Sequence, residues 1–185
     1  LSAESWHAKI RGPVDFALDC VSSGGGGIEG YRRSYVEGMR SILSWARKGR
    51  NVGTLVYTGS TSVYPDFGGS RVDETTPIGD SVGTPAVLFE AEQLLRAGAG
   101  GACARWFILR LAGLYGPGRH HLLDQVRRGE AEMAGRGDHF LNLIHRDDVT
   151  AAILAAFAAP AGIANEVLNV VDDVPARKAE VVGWL

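Results

Sequence analysis

Apolar residues fall along this chain in two alternating patterns. Continuous apolar runs at 14–21, 53–57, 104–111 and 167–171 have the length and composition of strands buried on both faces. Between them the apolar positions recur at helical spacing. Tyr35, Met39, Ile42, Leu43 and Ala46 mark a helix over 31–47. Leu88, Ala91, Leu94 and Leu95 mark another over 85–97, with Thr84 as its N-cap, Pro85 at the first helical position and Gly98 as its stop. On that helix Glu92 and Arg96 have the spacing of a surface ion pair. Residues 121–128 read as a short helix and 140–144 as a strand. Asp147 caps an alanine-rich helix that reaches Ala159, and a helical tail follows the last strand. The glycine-rich stretches 98–101 and 135–137 read as loops, and there is no internal repeat.

Strands that are apolar on both sides and separated by helices predict an α/β fold, a parallel sheet with helices on both faces. In such sheets ligands bind beyond the carboxyl ends of the strands. Three of those ends carry small or polar residues: Ser22-Ser23, Thr58-Gly59-Ser60-Thr61-Ser62, and the segment from Ala112 to Gly118. Any strand-to-helix loop favours Gly, Ser and Thr. Three in one sheet point to a ligand rim.

Composition narrows the function classes. The 185 residues suit a single domain spanning 1–185. Nineteen basic and 21 acidic side chains are spread evenly for a net charge of −2, so no polyanion partner is expected. No apolar run has the roughly 18 residues that a membrane span needs. Cys20 and Cys103 lie in apolar runs and read as reduced thiols of a cytoplasmic protein. The adjacent His120 and His121 have no third ligand spaced with them, so no metal is expected.

The segments LVYTGSTSVYP, VDETTP, EAEQLL, RLAGLYGPGR, LNLIHRDDV and NVVDD, in this order and spacing, resemble the extended short-chain dehydrogenase/reductase superfamily. Within it, the chain is most similar to the atypical NAD-dependent epimerase/dehydratase branch. The resemblance implies a Rossmann-type sheet, NAD or NADP as cofactor, and a small C-terminal portion that binds a small-molecule substrate, a sugar or related polyol. It also implies that the family's first strands and glycine-rich fingerprint belong before residue 1, so that this chain alone binds the dinucleotide weakly. Gly24 to Gly27 are read as a loop beside the cofactor.

Carried over position by position, Ser60 stands where the family has its catalytic hydroxyl. Cys20, Val21, Ser22, Thr58, Gly59, Leu111, Ala112 and Gly113 fall at the cofactor, and Ser62, Tyr64, Arg119, Asn142 and His145 at the substrate. The family's Tyr-x-x-x-Lys pair falls on Thr84 and Leu88, and a family Asn on Tyr35. In nucleotide-sugar enzymes an Asn and an Arg hold the diphosphate; here those positions are Gly113 and Leu141. The helices over 31–47 and 85–97 resemble the pair packed together in family dimers, so a homodimer is a further expectation. Two function classes stay open: an NAD(P)-dependent oxidoreductase or epimerase/dehydratase with a substitute base, or a non-catalytic dinucleotide-binding relative. A fragment doing neither is the third.

Overall fold

The computed structural model describes residues 4–65, 68–130 and 137–185. The loop expected at 135–137 therefore lies outside them except for Gly137. Strand β1 is Val14–Asp19, two residues shorter than its apolar run. Helix α1 (Gly27–Tyr31) continues through a π-helical segment, Arg32–Glu37, into α2 (Gly38–Arg47). Then come β2 (Val52–Ser60), α3 (Thr84–Gly98) and β3 (Cys103–Leu111). The remainder is β4 (Gly113–Tyr115), α4 (His121–Arg127), β5 (Phe140–Leu141), β6 (Leu143–His145), α5 (Arg146–Ala158), β7 (Glu166–Val170), β8 (Ala176–Arg177) and α6 (Lys178–Trp184).

The main sheet has the order β1-β2-β3-β7, and every neighbouring pair is parallel. This is the architecture that the apolar runs predict. Side chains alternate across it. Leu55, Tyr57, Trp106 and Ile108 pack against Met39, Ile42 and Leu43 of α2 and Ala91 and Leu95 of α3. Val56, Phe107 and Leu109 face the other way and meet Ala152, Ile153, Ala156 and Phe157 of α5. Helices cover both faces, but β1 is only half covered. Phe16 on the α5 face is 56% exposed despite a ring contact to Phe157, and Leu18 is 42% exposed.

Two caps differ from the expected ones. Gly83, not Thr84, stands at the N-cap of α3, and Thr84 is the first helical residue. At α5 the cap is His145, whose Nδ1 accepts from the Asp147 amide at 3.3 Å. Asp147 lies inside the first turn, where its charge still favours the helix dipole. A further departure lies within β3, whose apolar run carries two arginines. Arg105 donates to Thr54 Oγ1 at 2.8 Å and to the carbonyls of Phe157 (3.1 Å) and Ala159 (2.7 Å), closing the last turn of α5 against the sheet. A cation there satisfies carbonyls that the helix leaves open. Arg105→Met should lower stability by about 2 kcal/mol, read from denaturant unfolding.

Candidate functional site

The register sets the three predicted strand ends side by side. Asp19 pairs with Tyr57, Thr58 with Leu109, and Ser60 with Leu111. Cys20 and Ser22 are exposed just beyond β1. Thr58 is buried and donates to the Asp19 carbonyl at 3.4 Å, and Ala112 is buried with its amide bonded to the Val170 carbonyl. Gly113 is exposed at the start of β4. The residues expected at the cofactor thus form one continuous rim.

Ser60 is half-buried in the middle of that rim. Its Oγ accepts from the Ser62 amide at 3.1 Å, capping a short 3-10 turn, Thr61–Val63. The cap uses a lone pair and leaves the hydroxyl proton free to donate. Thr61 donates to the Leu111 carbonyl at 3.4 Å, tying that turn to β3. Ser62 is exposed.

Tyr64 is held from several sides. Its hydroxyl takes a bond from Arg110 Nη1 at 2.7 Å and lies 2.9 Å from both Asn169 Oδ1 and the Asp73 carbonyl. With one proton it can donate to only one of these at a time. Arg110 in turn grips Glu92 through Nη2 to Oε2 at 2.7 Å and Nε to Oε1 at 3.0 Å. Glu92 is 0% and Arg110 2% exposed. Glu92 therefore serves not in the surface pair with Arg96 that its spacing suggested, but in a buried, two-point ion pair with a residue on β3. Nothing in local spacing announces this partner. The cue was a charge inside each of two apolar patterns, which is sustained only when the charges meet.

The remaining predicted residues gather around a second, two-stranded parallel sheet of β4 and β6, where Gly113 pairs with Leu143 and Tyr115 with His145. Asn142 is exposed, its carbonyl accepting from the Gly113 amide at 2.9 Å. Arg119 is exposed at the end of the Gly-Pro-Gly turn. His145 is half-buried beside the Tyr115 ring, and its capping bond through Nδ1 places its proton on Nε2. That nitrogen lies over Gly116, where a Cβ would come within 2.8 Å of it and where φ is +129°. Only glycine fits both demands.

The position of the expected lysine is apolar in its packing as well as in its identity. Leu88 is buried with Val63 and Ile78, and Tyr31, Tyr35 and Tyr64 pack against the cluster. Two polar groups nearby escaped the pattern reading because they lie inside an apolar run. Asp19 and Tyr57 are both fully buried; among the described residues the Tyr57 hydroxyl meets no hydrogen-bond partner, and the Val21 amide beside the Asp19 carboxylate falls outside hydrogen-bond geometry. Burial pushes the Asp19 carboxyl up to about 6, against a partial offset from the Val21 amide. Burial, then the Asp19 and Glu92 charges, hold the Tyr57 phenol well above its usual value.

A family comparison settles what this arrangement belongs to. The NAD-dependent epimerase/dehydratase family matches residues 17–170. The chain belongs to that family. Protein YeeZ of Escherichia coli K12 is 38% identical over 128 residues, 69% of this chain and 43% of YeeZ. A Methylobacillus flagellatus structure described as an NAD-dependent epimerase/dehydratase is 30% identical with a TM-score of 0.68, over 84% of this chain and 54% of that one. The dTDP-glucose 4,6-dehydratase DesIV of Streptomyces venezuelae, solved with NAD bound, has a TM-score of 0.83 over 99% of this chain and 60% of that one. At 19% identity DesIV shows the shared fold alone. The chain spans less than half the length of YeeZ and little more than half that of these structures.

The chain has the family's parallel sheet, and its β2 ends in the hydroxyl of Ser60. Its dinucleotide-binding potential is mixed. Gly25, Gly27 and Gly30 carry the G-x-G-x-x-G spacing from the loop after β1 into the first residues of α1, beyond the plain loop expected at Gly24 to Gly27. The carboxylate that should follow at the end of the next strand is absent, because β2 ends in Thr58-Gly59-Ser60. Among the described residues no cluster of three His, Cys, Asp or Glu could hold a metal, and no helix is long and apolar enough to cross a membrane. An open groove of about 460 Å³ between α5 and β7 is lined mainly by apolar residues such as Leu109, Ala156 and Leu168, and does not include Ser60.

Proposed function

We propose that this chain is part of an NAD(P)-dependent oxidoreductase or epimerase/dehydratase that acts on a sugar or related polyol. The observation that carries the reading is Ser60: a half-buried hydroxyl with a free proton, centred on three aligned strand ends. In this reading Cys20, Val21, Ser22, Thr58, Gly59, Leu111, Ala112 and Gly113 border the dinucleotide, whose nicotinamide, when bound, exchanges a hydride with the substrate carbon. Ser60 donates to the substrate oxygen and stabilises negative charge developing there. Ser62, Arg119, Asn142 and His145 line the substrate side, His145 offering Nε2–H. Tyr64 serves that side through the hydrogen bonds that fix the turn after Ser60. A homodimer through the helices on the α2–α3 face belongs to the same proposal.

Ser60→Ala in the full-length protein should lower turnover ten- to a thousand-fold while leaving dinucleotide affinity nearly unchanged. Turnover of sugar and nucleotide-sugar probes, with a parallel binding titration, tests this. Equal turnover in both proteins removes Ser60 from the mechanism. The apolar packing of Leu88 favours a second reading, a relative that binds the dinucleotide without chemistry. No turnover in either protein, with binding intact, selects it. The 185-residue chain itself should bind NAD or NADP more weakly than about 1 mM, since even that affinity needs roughly 4 kcal/mol of net contacts. A micromolar constant by calorimetry would assign the Gly25–Gly27–Gly30 turn a phosphate-binding role.

A further inference from the structure

The buried Glu92–Arg110 pair lies against the strand end that carries Ser60. Gly59, the residue before Ser60, pairs with Arg110 in the register, and a Cβ on Gly59 would come 3.4 Å from Glu92 Oε1. The pair does not close on itself. Two nitrogens of the guanidinium, Nε and Nη2, hold Glu92, and the third, Nη1, donates to the Tyr64 hydroxyl at 2.7 Å. Arg110 thus reaches from the core to the far end of the turn that Ser60 caps.

That turn is fixed at both ends by consecutive residues of β3. At its start Ser60 pairs with Leu111, and Thr61 Oγ1 donates to the Leu111 carbonyl at 3.4 Å. At its end the Tyr64 amide closes the turn on the Thr61 carbonyl at 3.1 Å, and Arg110 holds the Tyr64 side chain. Between them Val63 is buried with Ile78 and Leu88, and its carbonyl accepts from Ser81 Oγ at 3.4 Å. We infer that Arg110 is a positioning residue for the reaction proposed above: through Tyr64 it fixes the turn that aims the Ser60 hydroxyl, with Glu92 as the counter-charge that orients the guanidinium. The inference rests on that functional reading.

The physical case has two parts. Ser60 Oγ accepts from the Ser62 amide inside the turn, so a turn that shifts carries this amide with it and redirects the hydroxyl. A donor to a developing oxyanion works only when it is already aimed. The second part is the choice of a charged pair. Replacing a buried ion pair by apolar residues is often neutral or stabilising, so stability alone gives no reason for charge at this place. An arginine held at two nitrogens by a carboxylate has its remaining donor pointed in a fixed direction, because the guanidinium is planar and rigid. That directed donor is what the pair supplies to Tyr64.

The test uses the full-length protein with NAD and, as probes, UDP-glucose, dTDP-glucose and free sugars. Tyr64→Phe removes the hydroxyl at the end of the link. Glu92→Leu/Arg110→Leu removes the pair without leaving a charge buried, and circular dichroism checks that both variants fold. Each should lower kcat roughly ten- to a hundred-fold with KM nearly unchanged, the cost of a small misplacement of a reacting group. In a Ser60→Ala background the same changes should cost less than about twofold, because no hydroxyl is left to aim. A purely structural role would lower kcat equally in both backgrounds. Amide exchange followed by NMR gives a reading independent of turnover: Tyr64→Phe should speed exchange at positions 62 and 64 roughly tenfold while Leu109 in β3 keeps its protection. Full kcat in either variant, unchanged exchange at 62 and 64, or an equal loss with and without Ser60→Ala overturns this inference alone. A wild type silent on every probe removes the proposed function and this inference together.

Discussion

Arg110→Leu should cost about 3–5 kcal/mol of folding stability, the largest loss expected from any single substitution at the rim. The guanidinium is the counter-charge of Glu92, and both side chains are essentially out of contact with water. Removing it strands a carboxylate in the core and also frees the Tyr64 hydroxyl from a 2.7 Å bond. The pair as a whole need not be worth this much, because two charges must first be desolvated. The double variant Glu92→Leu/Arg110→Leu should therefore be more stable than Arg110→Leu alone. Urea unfolding of the three proteins decides it. A single variant within 1 kcal/mol of wild type, as is usual for exposed pairs, would mean that the side chains are hydrated in solution.

Asp19→Asn should act in the opposite direction and only at neutral pH. A carboxyl raised from 3.8 to about 6 on folding binds its proton more tightly in the native state. Its contribution to stability is complete below pH 3.8, declines from there, and is lost once the pH has passed about 6. At roughly 1.4 kcal/mol for each tenfold change in proton affinity, the ionised carboxylate costs about 3 kcal/mol at pH 8. Asparagine cannot ionise, so the variant should escape that loss. Its stability relative to wild type should rise by about 3 kcal/mol between pH 3.5 and pH 8, as measured by thermal or denaturant unfolding at both pH values. A difference independent of pH would show that Asp19 is paired in both states.

The outcome separates what local pattern can carry from what it cannot. The four parallel strands were legible because each lies in a mostly apolar run, and β2 and β3, the central pair, are buried on both faces. Ser60 and its neighbours were legible as a rim because ligands in such sheets lie past the strand ends. The cap of α5 was misplaced because Asp147 has a strong intrinsic preference for that position, while His145 takes it through a nitrogen whose lone pair depends on the tautomer. The Glu92–Arg110 pair was invisible because it needs α3 laid across β3. A carboxylate four residues before an arginine on the same helix offers a nearer partner. Asp19 was hidden for a similar reason: its burial beside Tyr57 exists only once β1 is laid against β2.

The two borders of the main sheet are not alike. On the β7 side the amide of Asn169 is already taken by Glu74 Oε1 at 2.7 Å, and the Asn169 side chain by Tyr64. A loop caps that border at Asn169 with a side-chain oxygen, the same loop that Tyr64 anchors through the Asp73 carbonyl. On the β1 side no strand among the described residues pairs with β1 beyond β2, and Phe16 and Leu18 stand exposed there. Growth of the sheet therefore has a direction. Another strand, from whatever source, meets a loop already bonded at the middle of β7 and an open row of donors and acceptors at β1. Tyr64→Phe, which loosens the loop, would make the molecule less one-sided long before it unfolded it.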